Sequence, residues 1–339
     1  MRNVTFEYEG GDARTREMLS HPVLVSTLAL SLGCTVPGSG GGGGDDDGNG
    51  ADDGGTGATD GSGELGVDGP PAEPPDVIAC SEPQDGALAL EFTYDAAPDV
   101  TGGTIELQGS ETWSLTQPAG SGRIGALGVR SELRYGDPQA YGGPRAETAV
   151  VGESASRYSP GDSFYYGFSV FVPAGWIDDG GVEDIMFQWH NIPDTNEAAK
   201  SPNLFLAIKR TEFVLRITSD ATPISTPATE LKEQALLVPD LHYDQGTWHD
   251  FVFHVVWSYQ GADGLIEAWH KRADQSGYNK VLEKTGPNMH NDTLRGYVKW
   301  GIYKPAWRDG PTAPPVRVDM HDEIRVGESF GAVEPGCAR

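Results

Sequence analysis

Trp248-His-Asp-Phe-Val-Phe-His-Val-Val-Trp257 reads as a strand with two buried faces. Side chains alternate across a strand, so His249, Phe251, Phe253, Val255 and Trp257 share one face. Asp250, Val252, His254 and Val256 share the other. Both sets are largely apolar, as expected of a strand in the middle of a two-layer sandwich. Short alternating or apolar runs recur on either side, at 87–94, 104–108, 125–135, 164–172, 184–190, 204–209, 212–218, 264–270, 296–304 and 316–326. Gly, Pro, Asp and Asn punctuate them. Short helical turns are expected at 173–176 and 230–237. With no long helical period and no internal repeat, the pattern predicts an all-β domain, a β-sandwich or a jelly roll.

Composition limits the folded part. Between Cys34 and Cys80 lie ten acidic residues, no Lys or Arg, and almost no large apolar residue. Such a stretch cannot bury enough surface to offset its ordering entropy. The expected organisation is a leader over 1–33, a disordered Gly/Asp-rich tether over 34–79, and a β-domain over 80–339. The formal charge of −26 argues against nucleic acid as a partner. Against an acidic body, local clusters of Arg and Lys stand out as a groove for a polyanion.

The apolar run Val23-Leu-Val-Ser-Thr-Leu-Ala-Leu-Ser-Leu-Gly33 ends at Cys34. It is shorter than a membrane span requires. It resembles a bacterial lipoprotein signal, which implies export, lipidation of Cys34 and membrane attachment only through that lipid. Cys80 and Cys337 bracket the predicted domain in a compartment where disulfides persist. The first and last strands of many sandwiches are neighbours, so a Cys80–Cys337 bridge is expected, in a monomeric domain.

Three segments carry polar residues at alternate positions. They are Arg130-Ser-Glu-Leu-Arg134, Gln188-Trp-His190 and Tyr297-Val-Lys-Trp-Gly-Ile-Tyr303. Each would present its polar set on one face of a strand. If the three faces line one sheet, they form a groove of cations, an amide, an imidazole and phenols. That set suits an acidic sugar. It can also remove a carbon-bound proton next to a carboxylate, given a cation to hold the acid, a base and a proton donor.

The three blocks, in this chain order, resemble the signatures of jelly-roll polysaccharide lyases of the alginate-lyase type. The text from Trp248 to His254, then Asp263-Gly-Leu-Ile-Glu-Ala-Trp269, Gly301-Ile-Tyr-Lys-Pro305 and His321-Asp-Glu-Ile-Arg325, is closer to the group of glucuronan lyase and heparin lyase I. The resemblance implies an all-β jelly roll, a concanavalin-like two-sheet sandwich with a concave groove, and cleavage of a uronate polysaccharide by β-elimination. It implies that Arg134 (or Arg130) and Gln188 hold the carboxylate. His190 and Tyr303 then share the base and acid roles, while Lys299, Tyr297, Arg130 and Glu132 bind or orient. Loops at 191–200 and 306–315 are expected to discriminate substrates. His249, His254 and His270 read as structural, while His290 and His321 are possible groove residues.

No cofactor is expected. Asp45-x-Asp47-x-Asn49-Gly50 mimics the start of a calcium loop, but its twelfth position is Thr56 and no helix flanks it. Two other readings compete. A lectin-like sandwich would keep the groove and aromatics without needing His190 and Tyr303 together. A glycoside hydrolase would need a spaced carboxylate pair, and no Glu-x-Asp-x-x-Glu run is present.

Overall fold

The computed structural model describes residues 77–80, 87–100, 102–241 and 244–337. The leader, Cys34, the calcium-like run and nearly all of the expected tether lie outside the described residues. The strands are β1 (Val77–Ala79), β2 (Leu88–Phe92), β3 (Asp99–Val100), β4 (Gly103–Gln108), β5 (Leu115–Thr116) and β6 (Val129–Arg134). Then come β7 (Arg145–Gly152), β8 (Ser163–Val172), β9 (Glu183–Ile192), β10 (Leu204–Lys209), β11 (Glu212–Ser219) and β12 (Leu231–Val238). The last are β13 (Thr247–Val256), β14 (Leu265–Arg272), β15 (Gly277–Thr285), β16 (Leu294–Tyr303) and β17 (Val316–Gly327). A 3₁₀ turn (Pro305–Arg308) follows β16, and one short helix, α1 (Phe330–Val333), follows β17.

Two antiparallel sheets form the predicted jelly-roll sandwich. The front sheet has the order β12-β11-β10-β9-β16-β7-β4. The back sheet runs β1-β15-β14-β13-β8-β17-β2-β3, with β6 also on β17 and β5 on β6. Aromatic side chains fill the space between. Phe168 of β8 stacks on Phe187 of β9 across the layers, with ring centroids 4.1 Å apart. Trp189 meets Phe253 of β13 at 4.9 Å. Phe168, Phe187, Trp189 and Phe253 are all fully buried. Each such ring contributes about 1.5–3 kcal/mol of burial.

β13 is central, between β8 and β14. Its second face is buried for a reason the sequence concealed. The chain after β17 folds back over the outside of the back sheet. There Val252, Trp269, Tyr278, Ala332, Val333 and Cys337 form a separate small core. This segment brings Cys337 to Cys80, and the bridge forms with a Cα–Cα distance of 5.8 Å. The expected neighbourhood of first and last strands is not the cause, because β1 pairs with β15.

One expectation about local structure fails, and one long strand was not read from the sequence at all. Residues 230–237 are not a helical turn but most of β12, which hydrogen-bonds along β11. Leu231-Lys-Glu-Gln-Ala-Leu-Leu is rich in helix formers, and the open edge of β11 overrides that preference. The segment Arg145-Ala-Glu-Thr-Ala-Val-Val-Gly152 has too few β-branched residues at its start to read as a strand. It is nevertheless β7, paired on both sides.

Cys337→Ser should free β1 and the C-terminal segment together. The bridge spans 257 residues, so its loss should lower the unfolding free energy by about 2–5 kcal/mol. Denaturant melts of the variant and the oxidised wild type measure it.

Candidate active site

Strand alternation in β9 sends Phe187 and Trp189 into the core and leaves Gln188 and His190 on the opposite face. β16 does the same with Val298, Trp300 and Ile302 against Tyr297, Lys299 and Tyr303. The register places Tyr297 beside His190 and Lys299 beside Gln188. All five polar residues line one groove of about 970 Å³ on the front sheet. Two of the three sequence blocks therefore converge as expected.

The third block does not join them. Arg130, Glu132 and Arg134 sit on β6, which belongs to the back sheet through β17. Glu132 bridges Arg130 and Arg134, at 2.5 Å each. These two ion pairs hold the Glu132 carboxyl below its usual range even though burial opposes it. Arg134 also lies over the Trp113 ring at 4.2 Å. Alternate spacing gave these three residues a common face but could not say which sheet the strand joins.

A guanidinium on the groove floor and the carboxylate buried beneath it come instead from β7. Arg145 pairs in register with Tyr303, and Glu147 lies opposite Gly301. Gly301 is required there: with φ of +119°, an added Cβ would stand 2.3 Å from the Ala146 carbonyl and 2.9 Å from the Glu147 Cα. Glu147 is fully buried and collects three donors. Lys299 Nζ reaches it at 2.8 Å and Arg145 Nη1 at 3.2 Å, while the Gln188 amide donates to its other oxygen. Burial pulls the Lys299 ammonium below its ordinary pKa, and Glu147 opposes that shift.

The sequence offered a signal for this strand. Arg145-Ala-Glu147 has the Arg-x-Glu spacing of the third block and lacks only its second Arg, with Ala149 in that position. The intact Arg-x-Glu-x-Arg on β6 masked it. Arg145 also covers the Tyr303 ring, its Cζ 4.3 Å from the centroid. Tyr141, at the groove rim, was missed as well, because nothing in its sequence neighbourhood marks it.

His190 is held from two sides. Its Nδ1 lies 2.6 Å from the Asn191 carbonyl. A carbonyl only accepts, so Nδ1 carries the proton and Nε2 keeps its lone pair. Its own carbonyl accepts from the Tyr158 hydroxyl at 3.1 Å, and Asn203 Nδ2 donates to that hydroxyl. Burial, reinforced by Lys299, lowers the imidazole pKa from 6.5 to about 4. The ring is therefore neutral near pH 7. Tyr297 stacks against it at 5.2 Å, and burial raises that phenol to about 12.

The remaining histidines lie elsewhere. His249 and His270 form a buried pair at 2.9 Å, and His254 stacks on Tyr165. His290 is buried behind the groove wall against Asn203, and His321 faces the interior beside Asp319. Neither His290 nor His321 lines the groove. Both loops expected to discriminate substrates, 191–200 and 306–315, reach it, the first through Pro193, Ala198, Ala199 and Lys200 and the second through Arg308. Among the described residues, Asp194, Glu197 and Asp292 are close enough to share a metal ion. Lys200 Nζ already sits among them, 2.6 Å from Glu197 and 2.5 Å from Asp292, and supplies the positive charge.

Residues 100–325 match the family model described as polysaccharide lyase. No curated protein matches the chain. Among solved structures the chain is similar to the endo-β-1,4-glucuronan lyase of the fungus Trichoderma reesei. Identity is 18% and the TM-score 0.57, over 69% of this chain and 94% of that one. It is also similar to the catalytic domain of a glycoside hydrolase family 131 protein from Coprinopsis cinerea (10% identity, TM-score 0.44, 73% and 92% covered). A third likeness is to alginate lyase AlgAT5 of polysaccharide lyase family 7 (12%, 0.40, 71% and 94%). The first likeness concerns the fold, and the two looser ones decide nothing about function.

Glu147→Gln should strand the buried Lys299 and Arg145 charges. Unfolding free energy should fall by about 3 kcal/mol, with kcat reduced by about 100-fold or more. Denaturant melts and steady-state rates on a cleavable polymer check the two effects separately.

Proposed function

The chain belongs to the polysaccharide lyase family, and on that premise we propose that it cleaves a uronic-acid-containing polysaccharide by β-elimination. The observation that carries this reading is a neutral His190, its Nδ1 committed to Asn191, on the same groove face as Tyr303, Lys299, Gln188 and Arg145. The charge balance points the same way. Arg145 and Lys299 bring two positive charges to the floor and Glu147 offsets one of them, while Lys200, Arg216, Lys232 and Arg308 outnumber Glu183 and Glu230 along the groove lining. The positive excess, in a partly dehydrated groove, suits a sugar carboxylate.

The chemistry follows from these positions. The uronate carboxylate is held by Arg145, Lys299 and the free amide hydrogen of Gln188. Their charge stabilises the enediolate that develops when the C5 proton leaves. His190 Nε2 takes that proton. The C5–H electron pair becomes the C4=C5 double bond. The C4–O pair departs with the leaving oxygen, which receives a proton from the Tyr303 hydroxyl. The products are an unsaturated uronyl end and a free 4-hydroxyl. Arg145 therefore takes the role that the resemblance assigned to Arg134 or Arg130.

Absorbance of the conjugated double bond on a panel of uronate polymers tests the reaction. His190→Ala and Tyr303→Phe should each abolish the signal, while Arg134→Ala should leave it within about twofold of wild type. Binding of a polymer with no new double bond on any of the panel would identify a lectin-like module instead. The pH profile tests the base. His190 must be neutral, so kcat/KM should hold from neutrality downward and fall only as pH drops through about 4. An acidic limb centred near 6.5 would mean that burial does not depress the imidazole, and a limb that persists unchanged in the residual activity of His190→Ala would remove His190 from the base role.

A further inference from the structure

Tyr141 is the groove residue that folding alone does not explain. Ala140 to Gly143 form a tight hairpin turn, in which the Gly143 N–H donates to the Ala140 carbonyl at 3.0 Å. Both central residues have positive φ, +49° at Tyr141 and +72° at Gly142. A turn of this kind favours Asn, Asp or Gly at its first central position. A tyrosine there crowds its Cβ against its own carbonyl. Packing does not compensate, because Tyr141 is 60% exposed.

The turn beneath it is tied to the groove wall. Arg308 Nη2 donates to the Gly142 carbonyl at 2.6 Å. Gly143 lies so close to the catalytic phenol that an added Cβ would fall 2.9 Å from the Tyr303 ring. The Tyr141 hydroxyl is itself engaged by Glu106, which raises its pKa. A flat apolar ring is thus presented to the groove at a fixed place, beside the group assigned to protonate the leaving oxygen.

We propose that Tyr141 is a sugar-binding platform, seating the C–H face of a pyranose ring on the Tyr303 side of the scissile bond. One face of a pyranose is largely C–H, and an aromatic ring covers it while leaving the hydroxyls to water. Glu106 disfavours a carboxylate beside the phenol, so the seated uronate turns its acid group toward Arg308. The unfavourable backbone at position 141 is retained because the ring it holds serves the substrate. This assignment rests on the lyase reading and extends it by one subsite.

Tyr141→Asn and Tyr141→Phe separate the platform from a structural role. Asn suits the left-handed turn, so the Asn variant should melt at or above the wild-type temperature. On the polymer that wild type cleaves, its KM should rise about tenfold, with kcat within about twofold. The Phe variant keeps the ring and should hold KM within about twofold of wild type. A wild-type KM in the Asn variant overturns the platform and leaves the lyase reading standing. If wild type cleaves no uronate polymer, mobility in gels containing each polymer is read instead. Retardation of wild type that the Asn variant loses supports the platform while the lyase reading fails. Equal retardation of both, or none, overturns the platform.

Discussion

The site depends on one buried carboxylate. Glu147 is the common acceptor for a guanidinium, an ammonium and an amide that come from three adjacent strands. Without it, Arg145 and Lys299 would repel each other on a floor with little water to screen them. With it, both cations stay at fixed positions and one positive charge is left over. An acidic protein, at −26 overall, thereby holds a small positive spot where a polyanion can dock.

That spot is placed by packing rather than by loops. The side chains between Gln188 and His190, and between Lys299 and Tyr303, are core aromatics and aliphatics. The aromatic stack between the sheets fixes β9 and β16, and alternation then aims the polar residues outward. Gly301 lets β7 come close enough for Glu147 to reach across. His190 receives a second restraint from Tyr158, whose ring is stacked on Trp257 at 3.8 Å. Core and groove are thus two faces of the same strands.

Much of this was legible in the sequence. Period-two patterning located most strands of both sheets, and the strand at Trp248–Trp257 is central as expected, although its second apolar face is covered by the C-terminal segment and not by the other sheet. Gln188, His190, Tyr297, Lys299 and Tyr303 were found because each lies in an alternating run with large apolar neighbours. Arg145 and Glu147 were not found, because their strand opens with Arg-Ala-Glu and lacks that apolar alternation. Arg130, Glu132 and Arg134 looked equivalent because spacing fixes which face of a strand a residue occupies. Partnership between strands depends on contacts distant in sequence, and β6 found its partner in β17, almost two hundred residues later. Tyr141 carried no sequence signal, since its oddity lies in a backbone angle.

The C-terminal segment that covers the back sheet also orders events in time. During synthesis, Cys80 has no intramolecular partner among the described residues until 257 more have been made. Until then Val252, Trp269 and Tyr278 lack their apolar cover. The nascent domain therefore exposes a greasy back and an unpaired thiol while its groove strands assemble. A chaperone that shields that back, or an oxidase that acts late, would govern yield without touching the groove.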